Sequence, residues 1–209
     1  LHASLEEKLR ALAEEQRLRE SADRDRQRLL RGTRLTSASV GQIYLVGFMG
    51  AGKTTAGTDL ATLLGWGFAD LDDVICRNEG KTILEIFRER GEPHFRQRER
   101  EALIGLAALP RLVVATGGGT YVSQENRSLV EAAGWSVWLQ VSLPEALRRC
   151  RGGQERPLLG SRADLEALFR FRQEHYRCAR ITVDTERLPP GRVAPAILER
   201  LQEAGFPYP

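Results

Sequence analysis

The chain has 209 residues, enough for one ordinary domain with an appendage, and 42% of them are apolar, enough for a sizeable core. Its 31 basic and 28 acidic residues nearly cancel, and the excess of +3 is not gathered into one block, which argues against nucleic acid as a partner. Three scattered cysteines without a CxxC pair argue against a disulfide framework or a zinc site and fit a reduced, cytoplasmic protein, and no 18-residue apolar run is present to span a membrane.

Residues 1–41 read as a charged helical extension and linker. They carry nine basic and seven acidic residues, hence most of the net charge. Leu5, Leu9 and Leu12 recur at helical spacing, and the stripe fades after Leu18 until Leu29 and Leu30. "GTRLTSASVGQ" from Gly32 to Gln42 is a linker by composition. The plain reading is a solvated helix or a weak self-association arm on a monomer. The sharper reading is a connector from an upstream domain. No signal-peptide core follows Leu5, and a first residue that is Leu rather than Met fits a fragment or a processed chain.

From residue 42 to 209 one domain is expected, because strand and helix patterns alternate. Ile43–Val46 is a short buried strand and Thr54–Leu64 suits a helix. Gly67–Leu71 is a second strand running into acids. Residues 82–108 are helical but broken around "ERGEP". Arg111–Gly119 and Trp135–Val141 are strands, residues 144–151 and 162–180 are helical, "ARITVDT" is a fifth strand, and Pro195–Ala204 closes with a helix. Strands alternating with helices predict an α/β fold with a five-stranded parallel sheet covered on both faces.

The first strand runs into Gly47-Phe-Met-Gly-Ala-Gly-Lys53-Thr54, a full GxxxxGK[ST] pattern with a strand before it and a helix after it. Glycines let backbone N–H groups turn toward an anion, and a helix N-terminus adds partial positive charge. Gly50, Ala51, Gly52, Lys53, Thr54 and Thr55 are therefore expected around the phosphates of ATP. Lys53 supplies a mobile cation there and Thr54 a hydroxyl for Mg²⁺.

The acceptor must be sought downstream. Asp70, Asp72 and Asp73 follow the second strand, where ligands of open parallel sheets bind. One acid can order Mg²⁺ through water and another can accept a hydrogen bond from an acceptor hydroxyl. Asp73 is equally readable as a helix cap, a reading that suits the strand-borne Asp70 and Asp72 less well. "GEPHFRQRERE" offers Phe95 and Arg96, "ERPLL" offers Arg156 among glycines, and "FRFRQEHYR" offers Arg172 four residues before Tyr176. Singly each arginine is an ordinary surface residue. Together they point to a small anionic substrate and a basic lid over the phosphates. Gly117, Gly118 and Gly119 end the third strand on the same edge, where a substrate can approach the backbone closely.

The joint occurrence of "DLD", "GEPHFR", "GGG", "RPLL" and "RxxxY" in this order, from about Gln42 to Leu201, resembles the shikimate kinases. The resemblance implies a P-loop nucleoside monophosphate kinase-like three-layer α/β/α fold. It implies that ATP phosphorylates the 3-hydroxyl of shikimate. Asp70 and Thr54 would lie near Mg²⁺, and Asp72 would bind the acceptor hydroxyls. Arg96, Arg172 and Gly117–Gly119 would hold shikimate, with Phe87 and Phe95 as apolar walls and Glu99 orienting the pocket arginine. Arg156 would be the lid arginine and Arg149 the adenine-side one, although Arg151 could compete for the latter role. Lys53, Asp72 and Arg156 would carry catalysis. The charged extension is not part of the compact family pattern. Two other readings stay open: a shikimate-kinase-like ligand sensor of a transcription regulator, and a small P-loop kinase for another polyol acid such as gluconate.

Overall fold

The computed structural model describes residues 41–150 and 162–207. The charged extension, residues 151–161 with Arg151 and Arg156, and the last two residues lie outside them. Five strands form one parallel sheet: β1 (Gln42–Val46), β2 (Gly67–Asp70), β3 (Leu112–Ala115), β4 (Gly134–Gln140) and β5 (Ile181–Asp184), in the order β2-β3-β1-β4-β5. Ile43 is in register with Val113 on one side and Trp135 on the other. Every residue of β1 and β3 is buried, so side chains on both faces of the sheet centre are covered.

The covering helices are α1 (Lys53–Leu64), α2 (Leu71–Glu79), α3 (Ile83–Ala107), α4 (Gln124–Ala133), α5 (Leu143–Cys150), α6 (Arg162–Tyr176) and α7 (Pro190–Glu203). Right-handed crossovers decide their faces. The connection from β1 to β2 runs one way across the sheet, whereas those from β2 to β3, β3 to β4 and β4 to β5 run the other. Helix α1 therefore covers one face, where α7 packs against it, and α2 to α6 cover the other. The result is the expected three-layer sandwich. Among the described residues no helix is long and apolar enough to cross a membrane.

Local chemistry explains the element ends that frame the site. Thr82 and Glu85 form a reciprocal capping box at the start of α3, with Glu85 N–H donating to Thr82 Oγ1 at 3.3 Å and Thr82 N–H to Glu85 Oε2 at 2.8 Å. The break expected around "ERGEP" falls on Gly91, whose φ of 77° a side chain would resist. Pro93 thus stands in the first turn of a fresh helical segment, where its missing N–H costs nothing. At the far end of the sheet, Gln42 Nε2 donates to the carbonyls of Ala107 at 3.0 Å and of Leu109, tying β1 to the last turn of α3.

Several boundaries move. The third strand stops at Ala115, so the glycine triplet is loop, followed by a 3-10 turn (Thr120–Val122). Helix α4 has no counterpart in the sequence reading, and α2 has one only in the helix cap offered at Asp73. Helix α7 starts at Pro190 and continues through Pro195.

Candidate active site

The loops after β1 and β3 are neighbours at the carboxyl edge, at the point where the chain reverses its direction across the sheet. Thr116 ties the start of the second loop to β1: its N–H and its Oγ1 both donate to Leu45 O, at 3.1 and 3.0 Å. The turn between β1 and α1 ends on Gly52, the N-cap of α1, with φ 89° and no side-chain cap, and no acid occupies the helix's first turn. Its leading N–H groups and the positive end of α1 thus face the carboxyl edge. Lys53 Nζ donates to Gly47 O at 2.9 Å and Phe48 O at 3.0 Å, which lays the ammonium across the loop. Ala51 is buried beneath it.

Asp70 ends β2 and serves both sides of the site. Its Oδ2 accepts from Thr54 Oγ1 at 2.7 Å, and its Oδ1 accepts from Asp72 N–H at 3.1 Å. Asp70, not Asp73, is the cap of α2. Asp72 belongs to the first helical turn and not to the strand, and Asp73 is exposed beside it, both complementing the helix dipole. A cleft of about 190 Å³ is lined by Gly50, Gly52, Lys53, Thr54, Thr55, Asp70, Asp72 and Gly118, joined by Met49 and Thr116. A larger groove of about 280 Å³ between α2 and α3 shares no residue with it and touches neither glycine-rich loop.

The glycine triplet admits side chains of the protein itself. A Cβ on Gly117 would stand 2.8 Å from Asp72 Oδ1 and 3.1 Å from Glu99 Oε1. One on Gly118 would stand 3.0 Å from Arg172 Nη1, and one on Gly119 would stand 2.8 Å from both Nη1 and Nη2 of Arg96. Only hydrogen at these positions lets two acids and two guanidinium groups converge on one loop.

The two arginines differ in their partners. Arg96 Nη1 donates to Glu99 Oε2 at 3.0 Å, while its Nε and Nη2 share Glu92 Oε1 at 3.1 and 3.0 Å. Burial alone would lower its pKa, but Glu99 and Glu92 outweigh it and the pKa is raised. Arg172 forms no ion pair with a carboxylate among the described residues; its guanidinium lies 5.7 Å from the centre of the Phe48 ring. Burial lowers its pKa from the ordinary value, Tyr176 opposes this, and the like charge of Arg96 adds to it. Tyr176 is itself buried and donates to Gly118 O at 2.5 Å. Phe87 and Phe95 stack at 4.6 Å beside Arg96. Two guanidinium groups are thus neighbours at the triplet, and Arg172 meets no carboxylate in an ion pair among the described residues.

Arg149 lies near the end of α5, the helix that packs against Gly50. It is held by Glu145 Oε1 at 2.8 Å and by Thr185 O at 2.7 Å, in the loop after β5. Hydrogen bonds from Arg148, then from Arg149, hold the Glu145 carboxyl down at about 2. The structure thus gathers Lys53, Thr54, Asp70, Asp72, Arg96, Arg172 and the triplet around adjoining loops, sets Arg149 on α5, whose Ala146 and Cys150 face Gly50, and has Arg156 outside the described residues. Two participants were missed in the sequence: Thr116, which ties the triplet loop to β1, and Thr120, which bonds to Glu99 at 2.7 Å. Both flank the triplet, and a hydroxyl on each side of a glycine run was the available signal.

A phosphate-binding turn, acids two strands away and a pair of arginines define a P-loop phosphotransferase. The comparisons make the family specific. The family model described as shikimate kinase matches residues 49–202. A shikimate kinase of Persephonella marina is 42% identical over 161 residues, covering 77% of this chain and 98% of that protein. The solved shikimate kinase from Acinetobacter baumannii in complex with shikimate is 38% identical with a TM-score of 0.75, over 80% of this chain and 96% of that one. The chain belongs to the shikimate kinase family. A deoxyadenosine kinase from M. mycoides, 16% identical with a TM-score of 0.55, shares the fold alone.

Proposed function

We propose that this enzyme transfers the γ-phosphoryl group of ATP to the 3-hydroxyl of shikimate, giving shikimate 3-phosphate and ADP. The observation that carries the reading is Arg172: a largely desolvated guanidinium without a carboxylate partner among the described residues, beside Arg96 and against the triplet. A cation kept this way costs stability unless an anion repays it. The substrate's carboxylate, gripped by Arg96 and Arg172, turns its ring hydroxyls toward Asp72 and the P-loop.

Asp72 accepts a hydrogen bond from the attacking hydroxyl and sets its direction. Lys53 and the N–H groups heading α1 neutralise charge on the transferring group, so positioning and electrostatics supply the acceleration. Arg156 is the lid arginine and Arg149 the adenine-side one in this reading, the latter supported by its bonds beside the loop after β5. Thr54 and Asp70 are hard oxygen donors joined at 2.7 Å, and no group of three His, Cys, Asp or Glu among the described residues could hold a metal alone. That donor set suits a Mg²⁺ completed by phosphate oxygens and water. When bound, the ion spreads the charge of the β- and γ-phosphates. Free thiols at Cys76, Cys150 and Cys178 accord with a cytoplasmic enzyme.

The test is ADP release with shikimate, ATP and Mg²⁺, with gluconate as the competing acceptor. Turnover with gluconate and none with shikimate would overturn the reading.

We take residues 42–209 as the catalytic unit, since the family match begins at residue 49. Removing residues 1–40 is expected to leave kcat/KM within about threefold, less than roughly 1 kcal/mol in the barrier. Loss of soluble, active protein on truncation would show the extension to be part of the enzyme.

A further inference from the structure

Thr120 stands one residue beyond the glycine triplet and is fully buried. It is fixed before its hydroxyl is used: its N–H closes a turn onto Gly117 O at 3.2 Å, and its carbonyl accepts from Asn126 Nδ2 at 3.1 Å. The hydroxyl then donates to Glu99 Oε1 at 2.7 Å. Glu99 is 1% exposed, and its other oxygen accepts from Arg96 Nη1 at 3.0 Å.

A carboxylate this deep needs both oxygens met. Arg96 meets one and Thr120 the other. The last torsion of a glutamate is soft, so a single partner leaves the carboxylate plane free to rock. A second partner on a rigid turn fixes that plane, and the planar guanidinium paired with it must follow. Arg96 in turn packs both Nη atoms against Gly119. The chain of contacts runs Asn126, Thr120, Glu99, Arg96, and its last member faces the substrate.

We propose that Thr120 is a positioning residue for the acceptor: its hydroxyl orients Glu99 and, through Glu99, the guanidinium that grips the substrate's carboxylate. This rests on the role given to Arg96 above. A threonine that only filled space would affect stability and leave substrate recognition alone.

Thr120→Val keeps the shape and removes the hydroxyl, whereas Thr120→Ser keeps the hydroxyl and drops a methyl group. Initial rates against shikimate, ATP affinity without shikimate, and melting temperature are measured for wild type and both variants. Thr120→Val is expected to raise KM for shikimate by about tenfold, as for a lost hydrogen bond to a charged group. Its kcat and ATP affinity should stay within about twofold, and Thr120→Ser should restore KM to within about threefold of wild type. Should valine prevent folding, Ser and Ala differ by the hydroxyl alone and give the same comparison. Unchanged KM in the valine variant overturns the role, and so does serine as impaired as valine, or ATP affinity falling in parallel. A wild type that does not phosphorylate shikimate overturns the functional reading and this role with it. A wild type that does, beside an unaffected Thr120→Val, overturns this role alone.

Discussion

Replacing Lys53 by alanine is expected to lower shikimate phosphorylation by about a hundredfold or more, the scale of losing one preorganised charge from a transition state. The loss should fall on kcat at least as heavily as on ATP affinity, because charge on the transferring group is greatest midway. The fold should survive, since Lys53 is half-exposed and its aliphatic stem lies outside the core. The two loop carbonyls it now meets, Gly47 O and Phe48 O, can turn to water instead. Steady-state rates and thermal melting of the same preparation give both readings. A folded variant with near-normal turnover would remove Lys53 from the mechanism.

Truncating the two pocket arginines should separate recognition from stability. Arg96→Ala and Arg172→Ala are each expected to weaken shikimate binding by about 2–4 kcal/mol, as for a charge left unpaired in a desolvated site. ATP affinity without shikimate should hardly change in either. Their melting temperatures should part company. Arg96→Ala strands Glu99, which is 1% exposed, without its cation, and breaking a buried pair this way costs about 3–5 kcal/mol. Arg172→Ala strands no carboxylate among the described residues and removes a partly desolvated charge, so it should leave stability unchanged or raise it. Arg96→Lys should recover only part of the binding, because an ammonium cannot bridge Glu92 and Glu99 as the planar fork does. Calorimetry with each ligand alone and thermal melts check all of this. Equal destabilisation by the two substitutions, or ATP affinity falling with that for shikimate, would show the arginines to be scaffold and not receptor.

The parts of the molecule legible in the sequence are those whose signal is local. Ile43–Val46 and the glycines after it announced a strand and a phosphate loop because both depend on neighbouring residues only. The broken helix around Gly91 was legible for the same reason. Helix α2 was not, because only Leu71 and Ile75 are buried along it, too few to make a stripe, and its acids read as the end of a strand. Helix α4 buries only Asn126 and Val130; its one clear signal was Ser123, whose side chain accepts from Asn126 N–H as an N-cap. Either Pro190 or Pro195 suits the first position of a helix, and the chain uses Pro190 and carries Pro195 inside the helix. The strand order was beyond reach, since Ile43 could pair with any apolar strand and only packing of the whole sheet selects β3 and β4. At the site, residue types pointed to an anion receptor, but the split between Arg96, paired with Glu92 and Glu99, and Arg172, which meets no carboxylate in an ion pair among the described residues, depends on which helix faces each turn meet.

Asp70 holds Thr54 with one oxygen and the backbone of Asp72 with the other. A single carboxylate thus bridges a hydroxyl at the head of α1 and the backbone that carries Asp72, the two sides that the proposed function gives to ATP and to the acceptor. Whatever factor ATP applies to the affinity for the acceptor, the acceptor must apply the same factor to ATP, because the two pathways round the binding cycle close. In the proposed reading Asp70 is one physical link through which that factor acts, because its two hydrogen bonds join a phosphate-side hydroxyl to the backbone of the acceptor-side acid.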